Sequence, residues 1–401
     1  MKKRGYPFWG MMVAAALLLT ACYGRKEQPY TEADAYSYTE NTEMETVVSL
    51  TDTVDTKEPE TENMETESLE PSISQEKYAY QTLNEEEKRV YDQIYQTLMG
   101  HIRKVTVDTL DTDVLEHAYR AVQADYGGIF WVMGYSYTKY TQGEELISID
   151  FAPNYTRTEE ERAGLQEQIN EATGQILLGI DSEASDYEKA KYVFDYLASE
   201  VEYKTDAPDN QNIISVFLNH ETVCQGYASA MQYLLNQLNI QSAVVTGTAN
   251  GQSHAWNLVK LDGAYYYMDV TWGNSSYTGE DGTFGKFINY NYFAVTSADM
   301  AKTHTPDASI LLPECDATVD NYYVQEGRYI SEWDPDVIGA LFREGYEGER
   351  KFISVKFDTG ELYQQCVDYF IDEQHIMDYC SGLSELQYLV DDDQQILTVK
   401  F

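Results

Sequence analysis

Between Glu221 and Trp272 stand a cysteine, a histidine and an aspartate, the side-chain types that thiol acyl transfer requires. A thiolate attacks a carbonyl carbon, an imidazole moves the proton, and a carboxylate holds the imidazole's tautomer and stabilises its cation. The letters are ETVCQGYASAMQYLLNQLNI, then SAVVTGTANGQSHAWNLVKLDGAYYYMDVTW. Each half must place its residues.

Thr222 reads as an N-cap two residues before Cys224, and Tyr227, Met231, Leu234, Leu235 and Leu238 mark one face of the following helix. Cys224 therefore falls in the first turn, where unpaired N–H groups and the macrodipole favour a thiolate. A small buried residue at a helix start has the same appearance, so the cysteine alone decides nothing. The hairpin adds the second half. Leu261-Asp262-Gly263-Ala264 is a two-residue Asp-Gly connection, which sets Leu261 opposite Ala264, His254 opposite Thr271 and Trp256 opposite Asp269. His254 and Asp269 then project from one face as diagonal neighbours about 7 Å apart at the backbone. Trp256 and Trp272 flank the pair, either as walls of a dry cleft or as large residues packed on a sheet.

With those residues in place, the stretch resembles the transglutaminase-like superfamily, with its papain-like thiol fold. VCQGYA, HAWNLVKLDGAYYYMDVTW and the later YNYFAVTSADMAKTHT carry the likeness in that order, over roughly Asp181 to Phe293. The preceding helical segment with its FWV strand, and the tail, look less specifically like bacterial surface lipoproteins of this type. The resemblance implies Cys224 as nucleophile, His254 as general base and Asp269 as its orienter. Members of the superfamily include cross-linking enzymes, peptidases, amidases and inactive relatives. The Cys224 backbone N–H is one oxyanion donor, and the second is open between Gln225, Asn219 and Tyr203; Gln211 is the glutamine lying upstream.

The address comes from the N-terminus. Lys2, Lys3 and Arg4 precede an apolar run of roughly 14 residues, too short for a span and right for a signal-peptide core. Leu19-Thr20-Ala21-Cys22 resembles a lipobox, which implies lipidation of Cys22 and a membrane anchor on the extracytoplasmic face. Residues 23–75 are rich in Thr, Glu, Ser and Asp and are expected to form an acidic disordered tether. Lys+Arg 27 against Asp+Glu 68 gives a net charge of −41, which excludes general nucleic-acid binding because no cation excess exists to release phosphate counterions.

Beyond the tether, 43% apolar residues support ordinary cores in an α+β chain. The expected divisions are a leader at 1–22, the tether at 23–75, a helical and strand segment at 76–180, the catalytic domain at 181–305 and a small α+β domain at 315–401. Capping boxes at Asn84/Glu87, Asp113/Glu116, Thr158/Glu161 and Ser185/Glu188 open the helices, and IFWVMGYSY with ELISIDF reads as a strand pair in which Trp131 is core. In the tail, YYVQEGRYI reads as a strand before a helix from about Asp334. Asp391-Asp392-Asp393 reads as a solvated hairpin turn, without EF-hand spacing. Cys366 and Cys380 read as small buried side chains. No Cys/His ligand spacing or glycine-rich phosphate loop is present, so neither metal nor cofactor is expected.

The expected function is a membrane-anchored thiol enzyme acting on amide bonds of proteins or cell-wall peptides. Water as acceptor makes it a peptidase or amidase, an amine makes it a transglutaminase. The alternative is a catalytically idle surface binding or scaffolding protein.

Overall fold

The computed structural model of the chain describes residues 20–21, 44–50, 76–277 and 285–401. Most of the expected leader, Cys22 and most of the span 23–75 lie outside those residues. No helix among the described residues is long and apolar enough to cross a membrane. The chain divides into two units, the larger covering 27–276 and 285–326, the smaller 327–401 together with 1–26 and 277–284.

The larger unit begins with helices whose starts are written locally. Glu85–Met99, Glu159–Leu177 and Asp186–Glu200 open with reciprocal capping boxes from Asn84, Thr158 and Ser185. Thr112–Asp125 differs from the expected start. Its N-cap is Asp111, whose carboxylate accepts from the Asp113 N–H, so Asp113 lies inside the first turn. Glu85–Met99 and Thr112–Asp125 pack on the antiparallel pair Val132–Gln142 and Glu145–Tyr155, and Glu159–Leu177 and Asp186–Glu200 join the core around Met231 and Leu235. Met44–Leu50 runs parallel to Val132–Gln142 as a further strand, within the span whose composition suggests a tether. Trp131 is core, and its indole N–H donates to the Leu98 carbonyl.

A buried polar hub ties these helices to the central stretch. The Asp125 carboxylate accepts from the Ala79 and Tyr80 N–H groups and from the Tyr91 hydroxyl, each at 2.9 Å. From the helix Cys224–Gln237, the Gln232 side chain donates to the Asp125 carbonyl and accepts from the Gly127 N–H. Gly127 and Gly128 approach that helix so closely that an added Cβ would lie 2.8 Å from the Ser229 Cα and 2.6 Å from the Tyr233 ring, respectively.

The central sheet is antiparallel in the order Ala264–Met268, Gln252–Leu261, Ser242–Ala249, His304–Pro306. The Asp-Gly connection forms as expected, with Asp262 and Gly263 both at positive φ and Leu261 paired with Ala264. One face of the sheet packs Val259 and Leu261 against the helix core around Met231 and Leu235, and the other carries Trp256 and Leu258.

In the smaller unit, Pro335–Glu347 and Gly360–Cys366 pack around the strands Phe352–Phe357 and Ile396–Lys400. Cys366 and Cys380 are free thiols in that core. Asp391 closes the hairpin turn by accepting from the Gln394 N–H. YYVQEGRYI is not one strand: Asn321 caps a helical turn at Tyr322–Gln325, Gly327 reverses the chain at positive φ, and only Tyr329–Ile330 is extended. The cap and the glycine override the β-propensity of the tyrosines.

Removing the hub carboxylate leaves three buried donors unpaired. Asp125→Ala is expected to lower stability by about 3 kcal/mol, read as a fall in the urea midpoint followed by tryptophan fluorescence.

Candidate active site

Cys224 is the first residue of its helix and is half-buried. The expected cap is not made: the N-cap position belongs to Val223, which supplies no side-chain bond. Thr222 instead donates from its hydroxyl to the Asn210 carbonyl at 2.8 Å and receives the Ser215 hydroxyl at 3.1 Å. Gly226 permits this arrangement, since a Cβ there would lie 1.9 Å from the Thr222 Oγ1. The helix N-terminus is thus left without a side-chain cap at the residue that bears sulfur, where an anion is favoured.

His254 is reached through the sheet. The hairpin register holds from Ala264 to Met268, which pairs with Asn257, and then the second strand ends. Asp269 and Thr271 do not continue it as the register alone requires. Asp269 caps a helical turn, Val270–Gly273, with Oδ1 accepting from the Trp272 N–H at 3.2 Å. The turn swings the carboxylate toward the neighbouring strand, and Oδ2 lies 2.8 Å from the His254 Nε2. Asp269 takes Nε2, which leaves Nδ1 as the second ring nitrogen, and Cys224 is among the groups that raise the His254 pKa.

Burial would lower the pKa of His254, but the Asp269 charge, the bond to it and the Cys224 contact outweigh burial and push it up to about 10. Burial conversely pushes Asp269 up, and the His254 charge and hydrogen bond hold it well below the usual carboxylate range. Both side chains are closed to solvent, at 2% and 0% exposure. The arrangement favours an imidazolium beside an ionised carboxylate.

The fold adds a residue that sequence reasoning missed. His304, on the edge strand His304–Pro306, brings its Nε2 to 3.2 Å from the same Asp269 Oδ2. The signal that could have found it is Gly247, a glycine inside a strand, which marks close backbone approach. Gly247 pairs with His254 on one side and Pro306 on the other, and a Cβ would lie 2.2 Å from the Thr305 carbonyl oxygen. Ligand atoms of His254, Asp269 and His304 lie within 4.8 Å of one another, close enough to meet at a cation, and the same atoms make the hydrogen bonds just described.

Trp256 and Trp272 are both buried and pack on these imidazoles. Their ring centroids lie 6.2 and 5.9 Å from His254, and 5.0 and 4.6 Å from His304. Among the oxyanion candidates, Gln225 follows Cys224 in the helix and its amide donates to the Ser229 hydroxyl at 3.3 Å. Tyr203 lies half-buried on a two-residue strand beside Thr222. Asn219 is exposed at the end of a π-helical turn, Ser215–Asn219. Gln225 and Gln211 line one cavity of about 260 Å³, which also takes in Ser229, Thr246 and the Arg157–Asp209 ion pair. Two glutamines therefore line a common space, which Cys224, His254 and Asp269 do not line.

The pair's contribution to stability has a defined pH window. His254 is raised above its ordinary 6.5, so its share is fully present below that value and is lost as pH rises through about 10. Asp269 is lowered below 3.8, so its share is present above that value and is lost in acid. The urea midpoint is expected to fall between about pH 7 and pH 10 in the native sequence, and Asp269→Asn is expected to flatten that fall. A decline of equal size in both proteins would contradict the pairing.

A profile of the transglutaminase-like superfamily matches residues 175–270. Kyphoscoliosis peptidase of Mus musculus is 26% identical over 140 residues, covering 31% of this chain and 21% of that protein. The Homo sapiens protein of that name is 25% identical over 140 residues, with the same coverage. The chain spans about a fifth of the length of these curated relatives. Among solved structures, a TGase is 14% identical with a TM-score of 0.25, covering 47% of this chain and 58% of that one. The periplasmic domain of TgpA from Pseudomonas aeruginosa is 14% identical with a TM-score of 0.22, covering 33% and 56%. Cys224, His254 and Asp269 all fall inside the matched stretch, and residues 175–270 form a domain of the transglutaminase-like superfamily.

Proposed function

We propose that the protein is a thiol enzyme that cleaves or exchanges amide bonds through an acyl-enzyme on Cys224. The observation that carries this reading is the buried His254–Asp269 bond of 2.8 Å, with Cys224 at the start of its helix among the groups acting on the His254 ring. The Cys224 thiolate attacks the amide carbonyl carbon, and the developing oxyanion is met by the backbone N–H at the helix start and a second donor drawn from Gln225, Asn219 or Tyr203. As the tetrahedral adduct collapses, the His254 imidazolium gives its proton to the leaving amine and Cys224 holds the acyl group. The neutral imidazole then takes a proton from water or an incoming amine, which attacks the thioester and frees the thiolate. Asp269 remains ionised throughout and stabilises the cationic ring.

Water as acceptor gives a peptidase or amidase and an amine gives a transglutaminase, and of the two we favour water. The substrate class is protein or cell-wall peptide, reached from the extracytoplasmic face by a membrane anchor on Cys22. That address rests on Lys2, Lys3, Arg4, the short apolar run and Leu-Thr-Ala-Cys in the sequence.

Alkylation tests the nucleophile. Iodoacetamide at about pH 6 is expected to modify Cys224 stoichiometrically, at a rate reduced about 100-fold or more in His254→Ala. Incubation of the protein with peptide and cell-wall fragment mixtures plus a labelled primary amine, followed by mass spectrometry, separates hydrolysis from amine incorporation. A Cys224 no more reactive than free cysteine would sink the proposal. Partner binding unaffected by Cys224→Ala, with no turnover of any acyl substrate, would favour an idle surface-binding role instead. Metabolic labelling with a fatty acid that survives Cys22→Ala would reject the anchor.

A further inference from the structure

Asp269 is more heavily engaged than an orienting carboxylate requires. Its Oδ2 lies 2.8 Å from the His254 Nε2 and 3.2 Å from the His304 Nε2, while Oδ1 accepts the Trp272 N–H at 3.2 Å. The groups facing it are His254 from the hairpin strand, His304 from the edge strand and the Trp272 amide from its own turn. Cys224 and Tyr292 are the titratable groups directly behind those rings.

The far side of His304 is also built. Its Nδ1 lies 2.9 Å from the Thr303 Oγ1, which lies 2.9 Å from the Tyr292 hydroxyl. All three side chains are buried, and Trp256, Trp272 and Tyr292 surround the ring with centroids at 5.0, 4.6 and 5.3 Å. Proton bookkeeping selects one arrangement. The carboxylate brings no proton, so a ring nitrogen must donate to it. Tyr292 donates to Thr303, Thr303 donates to Nδ1, and Nε2–H donates to Asp269, which satisfies every hydroxyl and leaves His304 neutral. A cationic His304 would place a second positive ring on a single dry carboxylate and would leave the Thr303 and Tyr292 hydroxyls to be rearranged.

We propose that His304 is a positioning residue: a neutral N–H donor, its tautomer held by Thr303 and Tyr292, that keeps the Asp269 carboxylate ionised and aimed at His254. It does not touch substrate and acts only through Asp269. The inference deepens the thiol-enzyme reading and rests on it for its catalytic meaning, whereas the hydrogen-bond chain itself stands on distances alone.

Histidine ring NMR on the full chain labelled with 15N-histidine tests the assignment. The His254 proton shared with Asp269 is expected as a low-field signal that disappears on acidification when the carboxylate is protonated. In His304→Leu, which keeps the bulk and removes the donor, that loss is expected about one pH unit higher than in the native sequence, the size of one hydrogen bond to a charged group. His304→Gln, whose amide donates from the position of Nε2, is expected to return the midpoint toward the native value. Leu and Gln variants that both keep the native midpoint, or that shift it equally, would reduce His304 to packing and overturn the proposal. So would a His304 ring carrying both protons between about pH 5 and pH 8 in the native sequence.

Where His304→Leu does not fold by circular dichroism, Thr303→Val carries the test. It removes the hydroxyl that holds the tautomer, and an upward shift supports the proposal while an unchanged midpoint overturns it. The readout needs no thiol reactivity and is repeated in Cys224→Ser. An unreactive Cys224 therefore counts against the enzyme reading, and an unshifted midpoint counts against His304.

Discussion

A carboxylate with no exposed surface has to find its partners inside the protein, and the central stretch is arranged around that need at Asp269. Removing an ionised group from water costs several kcal/mol after relaxation, and the cost is offset only where donors and opposite charge converge on it. Two imidazoles and one backbone N–H do so here. Each comes from a different element, so the hairpin, the helical turn and the edge strand must all be in register for the charge to be tolerated. The same condition that makes Asp269 stable makes His254 basic, which couples folding of the sheet to the charge state of the imidazole.

Small residues make the convergence possible. Gly247 lets the edge strand come close enough for His304 to reach over, and Gly226 lets Thr222 turn inward and leave the start of the cysteine helix uncapped by a side chain. A second polar centre secures the other end of that geometry. Asp125 gathers donors from the first helices, and Gln232 of the cysteine helix holds the chain from Asp125 to Gly127. The sulfur is therefore positioned by a helix that is clamped from one side by the N-terminal helices and from the other by the sheet, where the Asn257 amide donates to the Ala228 carbonyl at 2.9 Å. Rigidity of this kind suits a site in which reacting groups must be held to fractions of an ångström.

The smaller unit contributes none of these groups. Its core of Phe342, Phe370, Val355 and Leu397 is self-contained, and its buried thiols Cys366 and Cys380 have their pKa values pushed up by burial. Thiols in such surroundings are inert, which separates them physically from Cys224 at its helix terminus.

Short-range signals in the sequence were enough to place the local elements that carry the candidate residues. Reciprocal caps at Asn84, Thr158 and Ser185 and the Asp-Gly turn act within a few residues, so the helices they open and the register from Leu261–Ala264 to Asn257–Met268 could be read directly. The residues Cys224, His254 and Asp269 followed from their types and order. What lies beyond local rules was settled by packing. Asp269 leaves the strand to cap a turn because its side chain can bond the Trp272 N–H, Thr222 gives up its expected cap for the Asn210 carbonyl, and Asp111 takes the cap from Asp113. Tyr322–Gln325 became a turn through the Asn321 cap. His304 lies 35 residues beyond Asp269, and no periodicity or spacing joins them. Their meeting is a property of strand order: a buried charge recruits whichever donor the sheet edge delivers, and the sheet edge exists only in the folded chain.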